Sequence, residues 1–206
     1  MSPVTRRSRG RMTGPERREQ LLDVAKQLVG EQGFHDLSIE TIAKRAGITR
    51  PVIYAHFEDL DALSEAMLER EALRALTQLG AIMPAELPQG AGRSDALLAA
   101  LRGYLEAIEA DPVTWRLVLM PPEGAPRMLR EQVERGREAI VETLAKVVGP
   151  GLVPERPSPD PHLTARLLTA LSDEAARLLL SDPEEYPIER LMRHAAWLLH
   201  QLTADG

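Results

Sequence analysis

The sequence predicts an all-α protein of about nine helices, and two observations lead to this fold class. Its 16 prolines fall in clusters, and the stretches between the clusters are rich in Ala, Leu, Glu and Arg. Proline interrupts helices whereas those residue types favour them, so the proline clusters indicate joints between helices. No stretch of the sequence alternates polar and apolar side chains in the way of a half-buried strand, so no strand is predicted.

Each predicted helix carries apolar residues at the i, i+3 or i+4 spacing of one helix face. Near the N-terminus, one such stripe covers residues 21–29 and a second covers 39–46. A longer helix is expected over about 63–79. The later helices are expected over residues 97–108, 113–120, 129–148, 163–180 and 188–202.

The charge distribution separates the front of the chain from the rest. Residues 1–57 contain ten Lys or Arg and six Asp or Glu, a balance of +4. The whole chain has 25 and 31, so the remainder holds 15 and 25, a balance of −10. Opposite signs in two parts of one chain indicate that the front meets a polyanion. The alternative is a basic tail on an acidic protein.

Several function classes are excluded by composition and motifs. The chain has no cysteine, which excludes disulfides, thiolate metal sites and cysteine nucleophiles. Its uncharged stretches are far shorter than the roughly 18 residues of a membrane span, and we expect neither a membrane-spanning helix nor a secretory signal. We expect a cytoplasmic protein without membrane contact, cofactor or metal. The sequence lacks a GxSxG, an HExxH and a phosphate-binding glycine loop, so an enzyme is not expected.

Two short helices joined by a tight turn are predicted over residues 38–57, which read SIETIAKRAGITRPVIYAHF. Ser38 is placed to cap the first helix, Gly47 supplies the turn, and the apolar Ile48 fills the space between the helices. Thr49 caps the second helix, and Pro51 lies in its first turn, where proline is tolerated. Such a helix-turn-helix places its second helix in the major groove of DNA.

Basic and hydrogen-bonding residues around this motif favour DNA binding over simple packing. A segment rich in arginine precedes it, and Arg50, Tyr54 and His56 lie on or just after the second helix. The same turn also occurs in helical bundles, so the alternative function is a helical small-molecule-binding or interaction protein whose helix-turn-helix only packs. The arginines of the N-terminal segment are Arg6, Arg7, Arg9 and Arg11.

The run from Ser38 to Leu63 resembles the DNA-binding domain of the TetR family of bacterial transcriptional regulators. That family shows a Ser or Thr, an Ile-Ala pair, an Ala-Gly-Val/Ile-Ser/Thr turn, and a Leu/Ile-Tyr-x-His-Phe run followed by Leu. The family usually has lysine three residues after the Phe, where it meets a phosphate, but this chain has Leu60 there. The matching residues are Ser38, Ile42-Ala43, Ala46-Gly47-Ile48-Thr49, Ile53-Tyr54-Ala55-His56-Phe57 and Leu63.

The resemblance implies a role for each residue of the motif and an organisation for the chain. Ser38 and Thr49 would donate to phosphates, and Arg50 would read a base edge with Pro51 beside it. Tyr54 and His56 would hold the DNA backbone. The expected organisation is a disordered basic arm (1–14), a helix-turn-helix domain (15–60) and a ligand-binding and dimerisation domain (61–206).

Aromatic and methionine side chains on three successive predicted helices are candidates for the lining of a ligand pocket. Core packing is the alternative for each of them, and a surface salt bridge is the alternative for the arginine among them. The candidate lining is Tyr104, Trp115, Arg116, Leu119, Met120 and Met128.

The last two predicted helices are apolar over a broader arc than a single core requires, which indicates a homodimer formed as a four-helix bundle. The alternative is that both arcs face the chain's own core. The sequence therefore predicts a dimeric regulator that represses transcription from a palindromic DNA operator and that an unidentified small-molecule effector releases from the DNA. An activator would have the same sequence pattern. The interface candidates are Leu167, Leu171, Ala175, Leu178, Leu191, Ala195, Leu198 and Leu202.

Overall fold

The computed structural model describes residues 12–82, 92–120, 127–151 and 157–204 of the chain. Within these ranges it contains nine α-helices, one short 3-10 helix and no strand, which confirms the predicted all-α class. The α-helices are α1 (Gly14–Gln32), α2 (Ile39–Ala46), α3 (Arg50–Tyr54), α4 (Leu60–Ile82), α5 (Gly92–Ala110), α6 (Pro112–Leu119), α7 (Arg127–Val148), α8 (Pro161–Ser181) and α9 (Ile188–Ala204).

Tertiary contacts divide the chain into two compact units. The first unit ends at Met67 and the second begins at Leu68, so the division falls inside α4. The predicted domain boundary after residue 60 and the predicted arm remain predictions. Residues 1–11, with the four arginines of that arm, lie outside the described residues.

The start of α1 is fixed by a reciprocal cap. The Thr13 N–H donates to Glu16 Oε2 at 2.7 Å, and the Glu16 N–H donates to Thr13 Oγ1 at 3.4 Å. These hydrogen bonds satisfy two backbone donors that a helix start would otherwise leave free. The same hydrogen bonds lower the pKa of the Glu16 carboxyl, and the bond from the backbone of Thr13 has the largest effect.

The first unit packs the inner faces of its helices into one small core. Leu21 and Ala25 of α1, Ile42 of α2 and Ile53 of α3 are fully buried. Phe57, directly after α3, is also buried, and the guanidinium of Arg18 lies 4.5 Å from the centre of its ring. Helix α2 packs on α1, and α3 packs on α2, while the outer residues Glu40, Lys44 and Arg50 are exposed to solvent.

The core of the second unit is centred on Trp115, which is 1% exposed. The Trp115 and Tyr104 rings meet edge to face with their centres 5.2 Å apart. Within the described ranges, no helix is both long and apolar enough to cross a membrane. The other buried members of this core are Ala75, Leu105, Ile108, Leu119, Ala176, Leu179, Leu180, Ile188 and Met192.

Candidate functional site

The helix-turn-helix is held by caps at both ends of α2. The Ser38 hydroxyl accepts from the Thr41 N–H at 3.1 Å, and the Thr41 hydroxyl accepts from the Ser38 N–H at 3.0 Å. At the other end, Gly47 adopts a left-handed conformation with φ 67°. A residue with a side chain would be strained there, which explains the glycine. The Ile48 N–H then donates to the Ala43 carbonyl at 3.0 Å and closes the turn.

The turn leaves the beginning of α3 exposed. Thr49 is the N-cap residue in an extended conformation, and its side chain makes no capping hydrogen bond. Thr49, Arg50 and Pro51 are all exposed. The hydroxyl and the guanidinium are therefore accessible at the end of the helix that enters the major groove in this motif.

Arg50 has a partner that the sequence did not predict. Its Nη2 donates to Glu40 Oε2 at 2.7 Å, and the two side chains are 59% and 74% exposed. Exposed ion pairs contribute at most about 1 kcal/mol. A guanidinium has five N–H donors, so Arg50 can contact a base while it keeps Glu40 or after it releases Glu40.

The predicted backbone-contacting residues lie at several places around α2 and α3. Tyr54 is 54% exposed at the end of α3, whereas Ser38 and His56 are half-buried. A Cβ built on Gly14 would lie 3.9 Å from His56 Cε1, so His56 is close to the first turn of α1. His56 therefore lies beside the helix start that Thr13 and Glu16 cap.

A cavity of about 50 Å³ lies inside the second unit. A single water occupies about 10–15 Å³ on this measure, so the cavity has room for only a few waters. Five helices contribute to its wall. The lining residues are Ala72, Ala75, Leu76 and Leu79 of α4, Tyr104 of α5, Trp115, Val118 and Leu119 of α6, Val133, Arg137 and Ile140 of α7, and Thr169 and Asp173 of α8.

Three of the six predicted ligand-binding residues, Tyr104, Trp115 and Leu119, line this cavity. Arg116 does not; it is exposed and donates to the Leu180 carbonyl at 2.9 Å. Met120 is 46% exposed and also lies outside the lining. The side chain of the sixth, Met128, is outside the described part of the structure.

The polar groups of the cavity are gathered around Asp173. Tyr104 donates its hydroxyl to Asp173 Oδ1 at 3.2 Å, and Arg137 Nη2 donates to Asp173 Oδ2 at 2.5 Å. Burial and the nearby Asp173 charge raise the pKa of Tyr104 far above its ordinary value. Tyr104 is therefore a neutral hydrogen-bond donor. Arg137 and Asp173 were not predicted, because they are 36 residues apart and each resembles a solvated helix residue in the sequence.

A second polar network joins α4 to α6. Thr114 Oγ1 donates to Glu71 Oε2 at 2.5 Å, and Glu71 is completely buried. Three residues further along α4, Arg74 Nε pairs with Asp111 Oδ2 at 2.7 Å. Trp115 Nε1 donates to Gln78 Oε1 at 2.8 Å, so a cavity-lining tryptophan is hydrogen-bonded to α4. Thus α4 is tied to α6 along one face.

The predicted dimer surface contains side chains that the chain itself leaves uncovered. Leu167 and Leu171 of α8 are 59% and 58% exposed, Leu163 one turn earlier is 52% exposed, and Trp197 of α9 is 54% exposed. Trp197 was not among the predicted interface residues. The remaining predicted interface residues are less exposed, or their side chains are not described. Those that are half-buried are Ala175, Leu178, Leu191, Ala195 and Leu198, and the side chain of Leu202 is outside the described residues.

Comparison with known proteins finds relatives for the motif and for nearly the whole fold. The sequence model of the family "Bacterial regulatory proteins, tetR family" matches residues 21–67. The HTH-type transcriptional activator FasR of Mycolicibacterium smegmatis is 28% identical over 182 residues, which are 87% of this chain and 78% of FasR.

Two solved structures extend the likeness to the whole fold. A TetR-like transcriptional regulator from Rhodococcus sp. RHA1 matches with a TM-score of 0.72 at 22% identity, covering 95% of this chain and 100% of that chain. The regulator FadR of Bacillus subtilis, solved in complex with stearoyl-CoA, matches with a TM-score of 0.64 at 16% identity, covering 88% and 96%. The family match over residues 21–67 confirms the resemblance found in the sequence: the helix-turn-helix domain is that of the TetR family of bacterial transcriptional regulators, and the solved structures show the same fold for the rest of the chain.

Proposed function

We propose that this protein is a homodimeric cytoplasmic repressor that binds a palindromic DNA operator and leaves it when a small molecule enters the cavity of the second unit. Ser38, Thr49, Tyr54 and His56 would hold phosphates, and Arg50 would read a base. The exposure of Thr49, Arg50 and Tyr54 supports this assignment. We assign the effector to the cavity lined by Tyr104, Trp115 and Leu119, without Arg116 and Met120.

The observation that carries the proposal is the double role of α4. This helix begins in the first unit and supplies Ala72, Ala75, Leu76 and Leu79 to the cavity wall in the second. A ligand that binds more tightly when α4 is in one position than in another increases the fraction of molecules with α4 in that position. An effector in the cavity can therefore act on the same helix that enters the DNA-binding unit.

The small size of the cavity supports a ligand that moves side chains. Drug-sized ligands occupy sites of about 300–1,000 Å³, several times the volume present. Leu76 of α4 packs against Gly136 of α7 so closely that a Cβ on Gly136 would lie 2.6 Å from Leu76 Cδ2. A ligand entering here would displace Leu76 and push α4 away from α7.

A mobility-shift experiment tests the proposal. Fragments of the genome around the gene are mixed with the protein at moderate salt, and small-molecule extracts of the host cells are added to the complexes. We expect one fragment to be shifted and then released. FasR is a transcriptional activator, so a reporter gene is needed to determine whether this protein represses or activates transcription. If every fragment binds with the same low affinity, the alternative of a helix-turn-helix that only packs is correct.

The variant Arg50→Ala should weaken operator binding by about 1–3 kcal/mol and relax the sequence preference at the base pair that Arg50 contacts, because a bidentate contact is lost. Binding to a library of operator variants measures both effects. Arg45→Ala is the matched control, since Arg45 is also exposed and paired, with Glu31 at 2.7 Å. An unchanged ranking of operator variants in Arg50→Ala would refute the assignment of base reading.

Removal of residues 1–11 should reduce the salt dependence of operator affinity. Their four arginines would neutralise up to about four phosphates, which corresponds to a change in the log–log slope of roughly 3.6. Titrations at several salt concentrations measure the slope. A full-length variant with Ser at positions 6, 7, 9 and 11 separates charge from chain length. If the slope is the same in all three proteins, the segment is a solvated tail.

A further inference from the structure

The cavity of the second unit has one polar end, formed by Tyr104, Arg137, Thr169 and Asp173, and its remaining wall is mostly apolar. Asp173 is 8% exposed, and its partner Arg137 is about one third exposed at the side chain. Replacing a buried ion pair by apolar residues is often neutral or stabilising. Packing alone therefore does not account for an ion pair at this position, and the pair places the guanidinium of Arg137 where it can select a ligand.

At this end of the cavity, Arg137 has N–H donors that are not used in hydrogen bonds among the described residues, whereas the Tyr104 hydroxyl is already used. Both oxygens of Asp173 are engaged, Oδ1 by the Tyr104 hydroxyl and Oδ2 by Arg137. Thr169 donates its hydroxyl to the Ala165 carbonyl. The guanidinium of Arg137 carries five N–H donors, and its other contact within the described residues is a looser ion pair of 3.6 Å with Glu134. A ligand at this end therefore meets donors on Arg137 and must bring an acceptor.

The charges at this end are already balanced. The positive charge of Arg137 is compensated by Asp173 at 2.5 Å, and Tyr104 is neutral. A ligand carboxylate would lose its hydration and lie close to Asp173, which repels it. A ligand ammonium would be repelled by Arg137 in the same way. A neutral carbonyl group accepts from the free N–H donors without either cost.

We propose that the effector is an apolar molecule whose polar end is an uncharged carbonyl, such as an ester, a thioester, an amide or a ketone, bound by Arg137 while Arg137 remains paired with Asp173. This inference rests on the proposed function, because it takes the cavity as the effector site. Tyr104 and Asp173 are positioning residues that hold the guanidinium and cancel its charge. Val133 and Ile140, one turn of α7 on either side of Arg137, belong to the wall for the apolar part.

The test compares methyl esters of saturated fatty acids of several lengths with the carboxylates and primary amines of the same chains. Calorimetry on the full-length protein measures their affinities, and the mobility-shift assay measures operator release. We expect the ester to bind at least about tenfold more tightly than the matching carboxylate or amine. In Asp173→Asn, Arg137 keeps only the looser ion pair with Glu134, so the preference should shift toward the carboxylate.

A second variant keeps the test independent of the stability of Asp173→Asn. The double replacement Arg137→Met and Asp173→Leu substitutes apolar side chains for the whole pair, and it should fold and bind the ester about tenfold more weakly than the unchanged protein. Tighter binding of carboxylate than ester by the unchanged protein, or unchanged ester affinity in the double variant, would overturn the inference.

The failure of this inference is distinguishable from failure of the proposed function. If a cell extract releases the operator while no ester binds at any length, the carbonyl assignment is wrong and the ligand-responsive regulator stands. If neither the extract nor any member of the series releases the operator, the proposed function itself is wrong.

Discussion

Replacing Leu171 and Leu198 together with glutamate should produce folded monomers that no longer bind the operator. Leu171 is 58% exposed on α8, and Leu198 is half-buried on α9. In a two-fold interface these positions supply four leucine side chains, and since each is already partly covered within its own chain, the further burial contributes about half of the usual 1.5–3 kcal/mol per leucine, or roughly 3–6 kcal/mol in total. Glutamate removes this contribution and brings like charges together. A monomer contacts only one half-site, so operator affinity should fall with dimerisation.

Light scattering measures the mass of the double variant, and circular dichroism checks its helical content. Leu73→Glu is a suitable control because Leu73 of α4 is 61% exposed and lies outside the proposed interface. The Leu73→Glu variant places a negative charge at a similarly exposed position of the second unit, and it should remain dimeric. A double variant with the mass of a dimer would mean that the interface lies elsewhere.

The sequence predicted the helices and their joints well because local chemistry determines them. Pro51, Pro112 and Pro161 each lie in the first turn of a helix, where a missing N–H has little cost. The predicted starts were less accurate where a first turn is polar. Helix α5 begins at Gly92, five residues before the predicted start, because periodicity of apolar residues cannot detect a turn such as Gly92–Asp95.

The polar side chains of the second unit were not predictable in the same way. Glu71 and Thr114 are 43 residues apart, and Arg137 and Asp173 are 36 apart. In the sequence, the neighbours of each of these acidic residues are typical of an exposed position on a helix. Its burial depends on which helices meet, and no local spacing contains that information. The apolar members of the cavity, Trp115 and Leu119, were predictable because residue type alone favours burial.

The variant Glu71→Ala should destabilise the protein by about 3–5 kcal/mol, because it removes the fully buried member of an ion pair together with the hydrogen bonds that this carboxylate accepts. Glu71 is completely buried, and it accepts from Arg70 Nη2 at 2.8 Å and from Thr114 Oγ1 at 2.5 Å. For a chain of this size, the loss corresponds to a decrease in Tm of roughly 6–20 °C. Urea unfolding followed by circular dichroism measures the free energy of unfolding.

Two further variants identify the cause of that loss. Glu142→Ala, which removes an exposed glutamate of α7, should change the free energy of unfolding by less than about 0.5 kcal/mol. Thr114→Val should cost about 1–3 kcal/mol, because Glu71 then lacks a hydrogen bond. Since Glu71 and Thr114 share one contact, the double variant Glu71→Ala with Thr114→Val should cost less than the sum of the two single changes. Additive costs would mean that the hydrogen bond does not tie α4 to α6, and the route from the cavity to α4 would then depend on Gln78, Leu76 and their neighbours alone.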